Sequence, residues 1–329
     1  MRTKVFLAAI LCLSLPAVGQ EVLKSGKLAN VTRVTNDVTM KYENPRFSPD
    51  GNKIAFTGMG FQGMYVMDTN GAHKACISEA PGVGYMYQWG ADSKTLLVRN
   101  TREVSGAGFP RTYSAWEIDL DGVAKRVSDE SPEYRPGAYR YDAQGKASVV
   151  MGGKKLAVPV VNRAKAAGIN GTAQISNAVK AVMNSAAYQT SFITDYDHLY
   201  AVDANGNKKV IFNGPAFDPV LSPNGKMVAF CDMADKINVC NIDGSNHRIV
   251  GSGFHPSWAN NKQIVVQQTT DNGHEYETGE LVLLNLNGAE VKLTSSRSRI
   301  EMNPCVSPDG SKLVFTDALD GQVYTADLK

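Results

Sequence analysis

The segment NPRFSPDGNKIAF, Asn44 to Phe56, returns almost unchanged as NPCVSPDGSKLVF, Asn303 to Phe315, and as DPVLSPNGKMVAF, Asp218 to Phe230. Each copy is a short strand opened by Pro, a Ser-Pro-(Asp/Asn)-Gly reversal and an apolar, β-rich strand. A hairpin that recurs along a chain is one unit of a repeat array, and the array's period limits the fold more than any single residue does. Three degenerate copies fill the gaps: YMYQWGADSKTLLV from Tyr85, RPGAYRYDAQGKASVV from Arg135 and FHPSWANNKQIVV from Phe254.

Most units continue into a further strand ending in a tight Asn-Gly or Asp-Gly turn, as in YVMDTNGAHKACIS, WEIDLDGVAKRVS and LYAVDANGNKKVIF. Such pairs favour the primed turns that suit hairpins. Each unit thus supplies four antiparallel strands, a to d, at a spacing of roughly 40–50 residues, which is the pattern of a propeller blade. The sixth unit stops at QVYTADLK, short of its fourth strand. LANVTRVTND, Leu28 to Asp37, matches the fourth strands of other units. The expected fold is all-β: a six-bladed β-propeller of four-stranded blades, closed by a strand near Val31 to Thr35 that completes the last blade.

The repeats resemble those of the TolB-like propeller family, on the strength of the Ser-Pro-(Asp/Asn)-Gly turn, the apolar strand behind it and the later (Asp/Asn)-Gly turn. The resemblance covers nearly all of the chain after residue 20. It implies a six-bladed propeller and a role in the bacterial envelope. TolB itself places an α/β domain ahead of its propeller, whereas repeats here begin near Asn44, so its role is not carried over. Similar propellers occur in peptidases of the prolyl oligopeptidase type and in oligogalacturonate lyases. The sequence has no GxSxG nucleophile elbow.

Residues 1–19 read as a signal peptide. Arg2 and Lys4 precede an apolar run from Val5 to Leu15, and Ala17 and Gly19 stand at the small-residue positions before Gln20. Removing the two basic residues turns 34 Lys+Arg into 32, against 32 Asp+Glu. That balance, without a basic tract, argues against nucleic acid as a partner. The mature chain, 20–329, holds no apolar run long enough to span a bilayer. Localisation is expected to be periplasmic or extracellular, as a monomer or one subunit of a hetero-complex. Of the four remaining cysteines, Cys231 and Cys240 lie on consecutive predicted strands. They are read either as a disulfide or as two small buried residues.

Three connections between strands b and c are long: Asn100 to Ser114, Gly152 to about Tyr196, and Gln268 to Gly279. They leave the propeller on the same face as the d-to-a connections, which makes that face the candidate working surface. The largest, an insertion over about 152–196 in blade three, is expected to be partly helical. Ile175, Val179, Val182 and Met183 recur there at helical spacing, for packing or for a partner. The same face receives the residues before each innermost strand. Asn44, Tyr85, Tyr87, Arg135, Phe217, Asp218, Phe254, His255, Arg299, Glu301 and Asn303 are expected to rim the channel mouth as a ligand site.

No catalytic residue is assigned. No cofactor is called for, although Asp218, His255 and Glu301 would suit a channel-bound divalent cation or an acid/base set if they met. DNGHEYE, Asp271 to Glu277, matches neither a zincin helix nor a calcium loop and reads as a solvated loop. Two functions follow. The first is a non-catalytic binding or scaffold protein that presents its long-loop face to an envelope protein or glycan. The second is a carbohydrate-active enzyme, a lyase or hydrolase, working at the channel mouth.

Overall fold

A computed structural model describes residues 23–90, 92–103, 111–132, 139–141, 147–151, 154–157, 190–203, 207–295 and 298–329. The chain is an all-β propeller. Blade one is β2 (Tyr42–Phe47), β3 (Lys53–Gly58), β4 (Gln62–Asp68) and β5 (Ala75–Ser78). Blade two is β6 (Gln88–Trp89), β7 (Thr95–Glu103), β8 (Arg111–Asp119) and β9 (Ala124–Arg126). Blade four is β16 (Ala216–Leu221), β17 (Met227–Asp232), β18 (Lys236–Asn241) and β19 (Arg248–Ser252). Blade five is β20 (Phe254–Asn260), β21 (Gln263–Asp271), β22 (Tyr276–Asn285) and β23 (Glu290–Lys292). The last blade joins β24 (Glu301–Val306), β25 (Lys312–Asp317) and β26 (Gln322–Leu328) to β1 (Leu28–Arg33).

The third unit departs from expectation. Its residues form two three-stranded sheets, β10 (Tyr139–Tyr141), β11 (Ala147–Met151) and β12 (Lys154–Ala157), then β13 (Ser191–Thr194), β14 (His198–Val202) and β15 (Lys208–Asn213). The strand LYAV does not pair with KASVV; it pairs with SFIT, Phe192 opposite Ala201. SFIT-DYD-HLYAV is a local b–c hairpin like those of the other blades, and a short turn closes it at far less entropic cost than a 45-residue loop would. The insertion therefore supplies strands at both of its ends. Its expected helix, with Ile175, Val179, Val182 and Met183, lies outside the described residues, as do Arg135 and the signal peptide.

Two of the long connections are paired strand over most of their described residues. Asn100 pairs with Ser114 and Glu103 with Arg111, so β7 and β8 continue outward as a hairpin arm. β21 and β22 do the same, with Thr270 opposite Thr278 and their hydroxyls 2.7 Å apart. Threonine suits such an exposed ladder because its branched Cβ favours extended backbone and its hydroxyl bonds across strands.

Packing between blades is apolar. Leu96, Val98 and Ile118 of blade two are buried with Ala55, Met64 and Val66 of blade one, and Ile264, Val266 and Val282 of blade five with Ala229, Ile237 and Val239 of blade four. Near the axis, side chains of one blade bond the backbone of the next. Trp89 Nε1 donates to the carbonyl of Arg46 (3.2 Å), and Trp258 Nε1 to that of Val220 (3.0 Å). The Val306 amide donates to Ser257 Oγ (2.9 Å) and the Asn303 amide to Gln267 Oε1 (2.6 Å).

Closure follows the sequence reading. Leu28 lies opposite Leu328 and Arg33 opposite Tyr324, and the Val34 amide donates to the carbonyl of Val323. Buried Gln322 donates to the carbonyls of Asp37 and Met40 and accepts from the Asp37 amide. Because β26 starts at the b–c turn and runs outward, antiparallel β1 begins on the opposite face. There the Ser25 amide bonds the Lys329 carbonyl, and Lys24 exchanges bonds with Gln263.

Cys231 and Cys240 are free. Register explains why. Cys231 pairs with Ile237 and Cys240 with Val228, three residues apart along β17, so strand alternation sends the two thiols to opposite faces of the sheet.

Each complete blade opens on a left-handed residue at the axis: Asn44 (φ 51°), Met86 (φ 53°), Asp218 (φ 49°), His255 (φ 50°) and Asn303 (φ 54°). In four of the five a bulge interrupts the a–b ladder there, between Glu43 and Arg46, Phe217 and Val220, Phe254 and Ser257, and Met302 and Cys305. The following Pro explains part of the choice. It disfavours right-handed helical backbone before it, and among residues with a side chain Asn, Asp and His tolerate positive φ best.

Two outcomes are expected. Deleting residues through Asp37 exposes both β26 and the apolar surface it shares with β1. Urea denaturation should show a loss of at least ~3 kcal/mol, and an unchanged midpoint would contradict the closure. At Met86, glycine should give a more stable protein than alanine by about 1–2 kcal/mol, because only glycine escapes the left-handed penalty. Equal denaturation midpoints for Met86→Gly and Met86→Ala would show that this backbone is unstrained.

Candidate functional site

The left-handed residues ring a central opening. A cavity of about 950 Å³ lies at the mouth on the face of the b–c turns, lined among others by Asn44, Tyr85, Tyr87, Phe217, Asp218, His255 and Asn303. Beneath it, a narrower axial cavity of about 370 Å³ is walled by the innermost strands. Among the described residues six segments converge there, as a six-bladed plan requires: Asn44–Arg46, Met86–Gln88, Thr190–Phe192, Asp218–Leu221, His255–Ser257 and Asn303–Cys305. The third segment comes from the start of β13.

The rim residues differ in what they do. Tyr87 is buried, and its hydroxyl lies 2.6 Å from the carbonyl oxygen of Asn44 and 2.7 Å from that of Ala55, sharing one proton between them. It pins the left-handed turn of blade one. Burial drives the Tyr87 phenol far above its usual range, so it stays neutral. Tyr85 stands edge-on to Phe61, and the Arg99 guanidinium covers its ring at 4.1 Å. Phe217 is half exposed to the cavity. Asn303 anchors to Thr316 Oγ1 through its side-chain amide at 3.2 Å.

Asp218 and His255, from neighbouring blades, meet across the mouth with Oδ2 2.8 Å from Nδ1. Burial raises the Asp218 carboxyl, but the bond from His255, its charge and that of Arg46 outweigh this, and the net shift is downward. Glu43, also on the cavity wall, moves the other way. Burial raises it, only partly offset by bonds from the Phe61 and Gly60 amides and by the His255 charge.

Three expected rim residues are elsewhere. Phe254 packs into the apolar cluster between blades four and five. Arg299 and Glu301 form a pair of their own, Nε to Oε1 3.2 Å, with the Glu301 side chain fully buried. The reason is the position of the bulge. Glu301 begins β24 opposite Asp317, two residues before the bulge at Asn303 turns the chain toward the axis. The set of Asp218, His255 and Glu301 therefore does not assemble, and among the described residues no three His, Cys, Asp or Glu gather as a metal site. DNGHEYE caps the β21–β22 arm, where His274, Glu275 and Tyr276 border the large cavity.

Several lining residues escaped the sequence reading, notably Glu43, Arg46, Met86 and Met59. Met86 holds the position of Asn44 in its own repeat, a signal hidden because Tyr87 replaces the usual Pro. Arg46 was legible in principle, two residues beyond Asn44, where the bulge restores alternation toward the axis.

The b–c turns carry a further pattern. In every blade where that turn is described, one large apolar side chain stands out at it: Met59 (67% exposed), Tyr196 (79%), Met233 (64%), Tyr276 (47%) and Leu319 (55%). On the opposite side, Leu23 and Val123 are exposed, and Val210, Ile249 and Val291 are exposed on the outer strands that start at its turns.

No protein-family model matches the chain. It is 28% identical over 143 residues to a TolB homolog of Chlorobium chlorochromatii, a stretch amounting to 42% of this chain and 30% of that protein. It is 30% identical over 119 residues to a TolB homolog of Chlorobium luteolum, covering 33% and 26%. The matches thus span less than a third of either relative's length. Among solved structures, the putative TolB of Agrobacterium tumefaciens superposes with a TM-score of 0.50 at 13% identity, over 91% of this chain and 97% of that one, a likeness of fold alone. No helix among the described residues is long and apolar enough to cross a membrane. The chain is a β-propeller similar to the propeller region of TolB homologs.

Proposed function

We propose that the chain is an exported, non-catalytic binding propeller of the bacterial envelope, engaging a protein partner through the face of its b–c turns. The carrying observation is the crown of Met59, Tyr196, Met233, Tyr276 and Leu319, one at each described b–c turn, on the side of a concave mouth. Apolar side chains at turn tips contribute nothing to the folded core, and water-facing methionine and tyrosine are typical interface anchors. A mouth of about 950 Å³ is large enough to receive a protruding element of that partner. The likeness to TolB homologs supports an envelope setting and a periplasmic location.

One observation favours a second reading, a carbohydrate-active enzyme. Glu43 and Asp218 line one cavity, the Glu43 carboxyl raised by burial and the Asp218 carboxyl lowered on balance by His255, and such an enzyme needs two carboxyl groups with different environments.

The test is cross-linked capture from an envelope extract with the wild-type chain and a Met59→Ser, Met233→Ser, Leu319→Ser variant. The expected result is one specific partner, reduced at least ~10-fold in the variant, with the melting temperature of the free protein unchanged. Equal capture by both proteins would overturn the assignment of this face. In parallel, turnover of envelope glycans by wild type that is abolished in Asp218→Ala and His255→Ala would establish the second reading. No turnover by wild type would dismiss it.

A further inference from the structure

The face opposite the mouth, made by the a–b and c–d turns, is unevenly charged although the chain as a whole is nearly neutral. A lysine ends the a–b turn of each complete blade: Lys53, Lys94, Lys226, Lys262 and Lys312. In blade one and the last blade this lysine is the first ladder residue and reaches the aspartate opposite, Asp68 at 2.8 Å and Asp327 at 2.9 Å. In blade two, Lys94 stands one residue before its strand, in turns that carry Asp92, Asp119 and Asp121. Lys226 and Lys262 also stand one residue before their strands and are exposed, but the turns of blades four and five are built largely from asparagine. There the first ladder residues, Met227 and Gln263, face Asn241 and Asn285.

The turns themselves do not require that exchange. Asn224 Oδ1 accepts from the Lys226 amide (3.1 Å) and the Ser222 hydroxyl (2.8 Å), just as Asp50 Oδ1 accepts from the Asn52 amide and the Ser48 hydroxyl. Asn260 Oδ1 accepts the Lys262 amide at the same 2.9 Å at which Asp92 accepts that of Lys94. Asparagine thus does the geometric work of aspartate and removes its charge. Neighbouring cations extend the effect. Lys208 and Lys209 open β15, against whose Ile211 backbone Gly244 of blade four is packed. The a–b turns of blades four and five touch where the Asn224 amide donates to Asn261 Oδ1 at 2.9 Å, and Gln263 holds Lys24 beside them. Lys24, Lys208, Lys209, Lys226, Arg248 and Lys262 therefore form one strip, interrupted by Asp203, Asp243 and Glu290. Exposed Leu23, Val210, Ile249 and Val291 lie along it.

We propose that this strip docks the chain peripherally on an anionic phospholipid surface, with the mouth turned away. Such a surface is a field rather than a pocketed ligand, and dispersed, hydrated cations suffice to bind it. The exposed aliphatic side chains favour lipid over a soluble polyanion, because they gain by entering the boundary between headgroups and acyl chains. The strip lies opposite the turn-tip crown and does not depend on the partner-binding role.

The test is co-sedimentation of the mature chain, 20–329, which lacks the apolar run Val5 to Leu15, with vesicles of phosphatidylcholine alone or mixed equally with phosphatidylglycerol. Binding is expected to the mixed vesicles only, at about 50 mM salt, and to be lost at about 0.5 M. Replacing both strip lysines, Lys226→Gln with Lys262→Gln, should lower the partition coefficient about 10- to 30-fold. Lys53→Gln with Lys312→Gln removes the same charge outside the strip and should change it less than about 3-fold. Ile249→Ser should weaken vesicle binding about 3-fold and leave the melting temperature unchanged. No binding to the mixed vesicles, equal binding to phosphatidylcholine alone, or equal losses in the two lysine pairs would each overturn the proposal. So would retention on immobilised dextran sulfate without binding to vesicles, which would mark a polyanion surface instead. The Met59→Ser, Met233→Ser, Leu319→Ser variant should bind vesicles as the wild type does, so the lipid face and the partner-binding face can fail independently; a loss in that variant would overturn the orientation with the mouth turned away.

Discussion

Everything in this propeller depends on one antiparallel pairing between the two ends of the chain. β26 would otherwise present an open edge, and the last blade would lack its outer strand. β1 supplies it, and the closing contacts extend past the ladder. Thr35 Oγ1 accepts from the Val323 amide at 2.9 Å, while Gln322 reads the backbone of Asp37 and Met40. These groups are more than 280 residues apart in sequence, so their pairing restrains the whole intervening chain. Only in a closed ring do inner strands from all the blades face one another, and both cavities exist only for that reason.

The ring also converts a local backbone event into a site. A bulge before each inner strand swings one side chain toward the axis, and repetition places such a residue in each complete blade. Most of these side chains serve the scaffold as well: the Asn303 amide group holds Thr316, and the Asn44 carbonyl is held by Tyr87.

The repeat made most of the architecture legible before any coordinates. The near-identity of the stretches at Asn44, Asp218 and Asn303 set the period, and the missing fourth strand after QVYTADLK pointed to Leu28–Asp37. Legibility failed where the repeat decays. In the third unit no Ser-Pro-Asp-Gly turn marks the start of a strand, so SFIT was read as part of a loop and LYAV was matched to the wrong neighbour. The arms beyond Asn100 and Gln268 were mistaken for loops because their cross-strand Thr, Arg and Glu look solvated whether or not they are paired. At the mouth, spacing located Asp218 and His255 correctly. Glu301 lies before the bulge, in the regular part of the ladder opposite Asp317, where nothing swings its side chain toward the axis.

The path of β1 has a geometric consequence. Leu28 pairs with Leu328 and Ser25 with Lys329, so both ends of the described chain lie on the face opposite the mouth. Any leader, anchor or fused module joined ahead of Leu23 or behind Lys329 departs from that far side. Fixed to a surface by either end, the molecule would hold its cavity outward like an upturned cup, and anything docking at the rim would meet it without passing the attachment point.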